Sequence, residues 1–178
     1  MSYPTLRALR KYTVEFALCL PGLIFVTEHV ASLETVRGRS MSPTLKDDLI
    51  LVQRWRVVEN LRRGQVVLYR SPMEPEKVVI KRVVGLEGDV IRTRKSCPEP
   101  IITVPQGQVW VEGDEAFHSV DSNNYGPIPS ALITAKVTHV LFPLSRAGRV
   151  AEDFKGRRGA LIHKASELGF QGGAGEVP

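Results

Sequence analysis

From Leu49 onward the chain breaks into short runs of β-branched and aliphatic residues, and this rhythm limits its fold more than any other feature. The runs are Leu49–Val52, Val66–Tyr69, Val78–Val84, Val90–Thr93, Ile101–Val104, Gln108–Glu112 and Ala135–Phe142. Each is rich in Val or Ile, or alternates apolar with polar residues, and Gly, Pro, Asp or Asn bound them, which is the signature of strands joined by turns. No stretch between Ser40 and Pro143 keeps the 3.6-residue period over helical length. The expected body is therefore mainly antiparallel β, a folded-over sheet or partly closed barrel.

The N-terminus has a different character. Residues 1–15 hold Arg7, Arg10 and Lys11 and no acid before Glu15. Phe16–Thr27 then runs without a charge, but such a helix would be only about 18 Å long against a hydrocarbon core of about 30 Å. Extending it to Leu33 gives the length and takes in Glu28 and His29. By physics alone this segment is a weak transmembrane anchor, an interfacial helix, a cleavable signal or a buried helix of a soluble fold. If it spans, the preceding basic residues keep the N-terminus on the inner side and put Ser40 just beyond the far face. Residues 146–178 differ again, with seven of the fifteen glycines, mixed charges and little β pattern. The organisation expected is an N-terminal tail and anchor at 1–36 (apolar part about 14–33), a β domain at 37–145 and a loosely held tail at 146–178 with a short helix around Gly159–Leu168.

Composition removes several function classes. The net charge of +5 is spread out, with no run of five like charges and no interleaved aromatics, so a nucleic-acid surface is not expected. Cys19 lies in the apolar segment and Cys97 in a Pro-flanked loop, which argues against a disulfide between them. No Cys/His spacing of metal-site type occurs, so no metal is expected.

Two segments carry chemistry. Gly38-Arg39-Ser40-Met41-Ser42-Pro43-Thr44 is a Pro-braced turn, and Lys81 follows inside the apolar run Val78–Val84. Free serine is a poor nucleophile and needs a base within hydrogen-bond reach. Lysine can be that base near neutral pH only where burial lowers its pKa. Strand alternation puts Lys81 on one face with Val79 and Val83, and Arg82 on the other with Ile80 and Val84. The plainer reading of Lys81 is a strand-edge residue reaching solvent. Ser42 competes with Ser40 as a turn serine. His118, three residues before Asp121, also admits a Ser40–His118–Asp121 triad, although that would leave Lys81 without a role.

A third segment, Gly113-Asp114-Glu115-Ala116-Phe117-His118-Ser119-Val120-Asp121-Ser122-Asn123-Asn124-Tyr125-Gly126, completes a pattern. Together the three segments, spread over Arg37 to Pro143, resemble the type I signal peptidase family. The phrases Lys81–Asp89, Asp121-Ser122-Asn123 and His139–Pro143 are most similar to its mitochondrial inner-membrane branch. The resemblance selects Ser40 as nucleophile and Lys81 as base. It implies that Ser119 orients the lysine amine and that Asp121 braces the loop carrying it, whereas simple turn capping would equally suit both. Gly113 and Asp114 are expected to set the turn. Asn123 stands where family members often carry an arginine that pairs with the aspartate, and its amide is a substitute donor. Gly38 stands where many members carry a serine that helps hold the oxyanion, so the Ser40 backbone N–H is expected to act there, with Met41 and Pro43 shaping the turn. Only 31 residues separate Lys81 from Gly113, too few for the large subdomain that some bacterial members insert.

By resemblance the chain is a membrane-anchored serine endopeptidase of the mitochondrial inner membrane, its catalytic domain facing the intermembrane space. Its substrates would be precursors with sorting signals, cut after a small residue and bound as an added β-strand. Its partner would be the homologous peptidase subunit 1 in a hetero-oligomer, and no cofactor is implied. The alternative is a non-catalytic scaffold that stabilises that partner.

Overall fold

A helix, α1 (Pro4–Phe25), opens the chain and continues through one π-turn, Val26–Val30, before the backbone becomes extended at Ala31. The computed structural model describes residues 4–94, 97–152 and 160–164. Arg10–Val30 is long and apolar enough to cross a membrane: 21 residues, none of that surface buried against the rest of the chain. At 1.5 Å per residue this is about 31 Å, the thickness of a hydrocarbon core. Within it Thr27 returns its hydroxyl to the carbonyls of Leu23 and Ile24, at 3.1 and 3.0 Å, so this polar group is satisfied inside the helix.

The helix stops earlier than the apolar stretch expected at 14–33. Ala31–Thr35 is a strand, β1, whose Leu33 lies opposite Leu51 of β2 (Leu49–Gln53). The ladder offered by β2 outweighs the apolar run that continues from the helix, and Arg54 N–H closes the junction onto the Val30 carbonyl at 2.8 Å.

All seven expected runs are strands. After β2 come β3 (Val66–Arg70), β4 (Val78–Gly85), β5 (Val90–Arg92), β6 (Ile101–Thr103), β7 (Gln108–Glu112), β8 (Ile128–Pro129) and β9 (Ile133–Phe142). A one-turn helix, α2 (Ser122–Tyr125), precedes β8, and β10 (Gly148–Arg149) and β11 (Leu161–His163) follow β9. Every pairing is antiparallel. The main sheet runs β1-β2-β9-β3-β4-β7-β8 with β10 on β9, and a second sheet runs β11-β5-β6. The chain thus returns after α2 to slot its longest strand between β2 and β3.

β3 is the central strand, buried on both faces. Val66 and Leu68 join a core with Met41, Leu45, Ile50 and Val52. Val67 and Tyr69 join another with Val83, Val109, Val111 and Ile133. Trp110 anchors a third core between the sheets with Ile91 and Ala160, whereas Trp55 is half exposed. Where a short helix was expected around Gly159–Leu168, Leu161–His163 is extended instead, because it finds an open edge on β5; residues 165–168 lie outside the described residues.

Candidate active site

The Ser40 turn is nailed down by apolar side chains that flank it in the sequence. Val36, Met41 and Leu45 are at most 3% exposed and sink into the first core, and Leu45 N–H bonds the Met41 carbonyl at 2.9 Å. Pro43 stays at the surface. Gly38 has φ +97°, a left-handed conformation that side chains disfavour, which lets the chain leave β1 and present Ser40. Among the described residues the Ser40 N–H donates to no acceptor.

Lys81 comes from β4, opposite Val67 of β3, and falls on the face shared with Val79 and Val83. It is 4% exposed, and its Nζ lies 2.9 Å from Ser40 Oγ. Burial lowers its pKa to about 8; nearby Asp121 and Asp114 oppose that shift and Lys77 adds to it. The sequence-derived nucleophile and base are therefore brought together, while Ser42 does not take part in this contact. Among the described residues His118 bonds neither Ser40 nor Asp121, so the triad is not assembled; His118 is an exposed residue at the cleft.

The segment after β7 crosses directly over Ser40. Glu115 N–H donates to the Ser40 carbonyl at 3.0 Å. A Cβ on Gly113 would sit 2.6 Å from that same carbonyl oxygen and closer still to Ser119 Oγ. Gly113 was expected to set a turn; its φ is not positive, and its smallness serves this close approach instead. Asp114 was also expected to set the turn, and it proves to be the buried partner of Arg82.

Asp121 is fully buried and gathers the loop around itself. Its Oδ2 accepts from Gly113 N–H (3.0 Å) and Ser119 Oγ (2.7 Å), and its Oδ1 from Asn123 N–H (3.1 Å) and Asn123 Nδ2 (2.9 Å). It also caps α2, with Asn124 returning a bond to the Asp121 N–H at 3.1 Å. Ser119 donates its hydroxyl to Asp121, while the Lys81 amine bonds Ser40 and, among the described residues, not Ser119, so the expected orienting contact is not made. Asn123 does supply the amide donor expected in place of an arginine. A guanidinium arrives as well, from elsewhere: Arg94 Nη1 lies 3.4 Å from Asp121 Oδ2, and its Nη2 lies 3.0 Å from Glu112 Oε2.

Two further groups escaped sequence reasoning. Arg82, 2% exposed, uses its whole fork: Nε and Nη2 hold both oxygens of Asp114 at 2.9 and 2.8 Å, Nη2 also reaches Thr44 Oγ1, and Nη1 bonds the carbonyls of Gly64 and Ala151. Thr44 in turn donates to Asp114, so the Ser40 turn is clamped to the segment lying over it. The signal was available, since Arg82 too sits among apolar neighbours on its own strand face; an arginine so placed cannot shed its proton and requires a carboxylate. Tyr69 and Tyr125 share a hydroxyl–hydroxyl hydrogen bond beneath α2. Burial pushes both phenols up, Tyr125 to about 12, so the pair stays neutral.

A cleft of about 500 Å³ opens over Ser40 and Lys81, walled by Glu34–Arg39 on one side and Lys77–Ile80 on the other. These walls belong to β1 and β4, which are four places apart in the sheet order, so the sheet curls to bring them face to face. β4 pairs with β3 from Val78 but with β7 only from Arg82. Its first half therefore presents an unpaired edge to the cleft.

Comparison with known proteins places this geometry. The family model for signal peptidase, peptidase S26, matches residues 9–97. The mitochondrial inner membrane protease subunit 2 of Schizosaccharomyces pombe is 47% identical over 145 residues, covering 79% of this chain and 81% of that protein. Subunit 2 of Saccharomyces cerevisiae is 39% identical, covering 72% and 78%. The human mitochondrial inner membrane protease subunit 1 is 35% identical, covering 83% and 89%. A crystal structure of a signal peptidase I from Enterococcus faecalis aligns at 21% identity and TM-score 0.36, covering 42% of this chain and 93% of that one. Family match and full-length relatives agree, and the chain belongs to the signal peptidase family, peptidase S26.

Proposed function

We propose that the chain is a membrane-anchored serine endopeptidase that removes sorting signals from precursors delivered to the mitochondrial intermembrane space, using Ser40 and Lys81. The observation that carries this reading is the 2.9 Å contact between Ser40 Oγ and a lysine buried deeply enough to lose its proton near neutrality. Neutral Lys81 takes the Ser40 proton as Oγ attacks the scissile carbonyl. The ammonium then protonates the departing amine as the peptide C–N bond breaks. Water, deprotonated by the same lysine, attacks the acyl ester, and the lysine ammonium returns that proton to Ser40 Oγ as the ester C–O bond breaks. The Ser40 N–H is the backbone donor we assign to the developing oxyanion, since Gly38 has no hydroxyl to offer. The substrate lies as an added strand against the open edge of Val78–Lys81, and is cut after a small residue.

The Arg10–Val30 helix serves as an uncleaved anchor, with Arg10 and Lys11 keeping the N-terminus on the matrix side. The relatives named as subunits 1 and 2 of one protease support a homologous peptidase as partner in a hetero-oligomer. The test is precursor processing by membranes carrying Ser40→Ala or Lys81→Met, with assembly of the partner followed in parallel. Loss of cleavage of a subset of precursors beside an assembled, active partner is expected. Unchanged cleavage would make the chain a scaffold.

A further inference from the structure

The cleft carries three cationic side chains for which the Ser40–Lys81 chemistry has no use. Arg37 and Arg39 flank Gly38 just ahead of the nucleophile, and Lys77 stands on the facing wall immediately before β4; all three are exposed. Among the described residues, neither Arg37 nor Arg39 has a carboxylate within ion-pair distance. Lys77 reaches Glu74 at 3.6 Å, but both side chains are at least 60% exposed, so this pair is weak. Among the described residues the one carboxylate lining the cleft is Glu34, which Arg54 already holds at 2.8 Å. Among the side chains lining the cleft the cations outnumber the carboxylates, and low-dielectric walls focus such charges on whatever enters.

The open edge of β4 sets where those charges fall along a bound chain. A strand rises about 3.3 Å per residue, so Lys77 stands about 13 Å, or four residues, from Lys81 along the edge. Arg39 adjoins Ser40 itself. We propose, on the basis of the peptidase reading above, that the cleft selects precursor segments with an Asp or Glu side chain within about four residues of the scissile bond, held by Arg39 and Lys77 with Arg37 at the rim. The same three cations would also suit anionic lipid headgroups. Their place inside the walls of the cleft, with Ser40 between them, favours the peptide.

The test uses the full chain in micelles of neutral headgroup and a set of quenched-fluorescence peptides. The peptides share a small residue just before the scissile bond and carry Asp or Asn, one position at a time, at the three residues before that one and the four residues after the bond. Exposed ion pairs set the scale at up to about fivefold each, so an acid that meets two cations gains up to about 25-fold in kcat/KM at low ionic strength, falling as salt rises. The Arg39→Glu/Lys77→Glu variant should reverse the Asp-to-Asn ratio and prefer Lys at the same position. If wild-type cleavage requires Ser40 yet shows no Asp preference at any position, the selectivity proposal fails and the peptidase reading stands. If cleavage persists in Ser40→Ala, both fail. An unchanged Asp-to-Asn ratio in the charge-reversal variant, joined to weaker flotation of that variant on anionic vesicles, would assign the cations to the membrane and overturn the proposal.

Discussion

The state of Lys81 can be tested without changing a residue, by changing pH. An ordinary lysine titrates at 10.5, and burial brings Lys81 to about 8. At about 1.4 kcal/mol per unit, the folded chain disfavours the ammonium by roughly 3 kcal/mol relative to water. The neutral fraction is then about one tenth at pH 7, one half at pH 8 and nine tenths at pH 9. kcat/KM should rise about tenfold from pH 7 to pH 9 and then level off. A lysine at its ordinary value would give a rise of about a hundredfold over the same interval, with no plateau before pH 10. The sign for stability follows. Because the folded pKa is the lower one, the penalty is fully present below about 8 and fades as pH climbs toward 10.5, so this group makes the fold more stable with rising pH. The assay is kcat/KM of the full chain on a neutral peptide from pH 6 to 10. Lys77→Gln, which removes a neighbouring positive charge, should move the midpoint upward. A flat profile, or a rise still steepening at pH 10, would refute a neutral Lys81 as base.

Other expectations are structural. Gly113→Ala puts a methyl 2.6 Å from the Ser40 carbonyl oxygen; displacing the nucleophile should cost about 100-fold in kcat or more, measured in single turnover. Arg82→Met strands a buried Asp114 and two carbonyls and should lower stability by about 3–5 kcal/mol, seen in thermal unfolding of the micellar protein; Arg82→Met/Asp114→Leu should recover part of it. Gly38→Ala meets no atom within 4 Å, so its loss of stability, about 1 kcal/mol from the left-handed backbone, should appear without a packing defect, and a much larger loss would refute that account.

Periodicity exposed most of this fold because its strands are short, apolar and separated by strong turn residues. Lys81 was legible for the same reason, as a charge in an apolar run, and so in hindsight was Arg82. What stayed hidden depends on contacts between distant segments. β1 reads as the tail of an apolar helix until β2 offers it a ladder. Nothing in the local sequence marks Arg94, in the loop after β5, as the cation beside Asp121. Gly113 announces a turn in any sequence, and only the Ser40 carbonyl passing over it reveals the close approach.

The insertion of β9 between β2 and β3 has a consequence for how the enzyme comes into being. β2 ends at residue 53 and β9 begins at residue 133, so 80 positions must emerge before the sheet can close. Closing so long a loop is slow, and pairings of this kind form late in folding. The strand carrying Lys81 and the turn carrying Ser40 lie on opposite sides of that gap until β9 fills it. On the proposed reading, a chain whose sheet has not yet closed is accordingly a peptidase with Ser40 and Lys81 apart, and cleavage begins only once its last long strand has arrived.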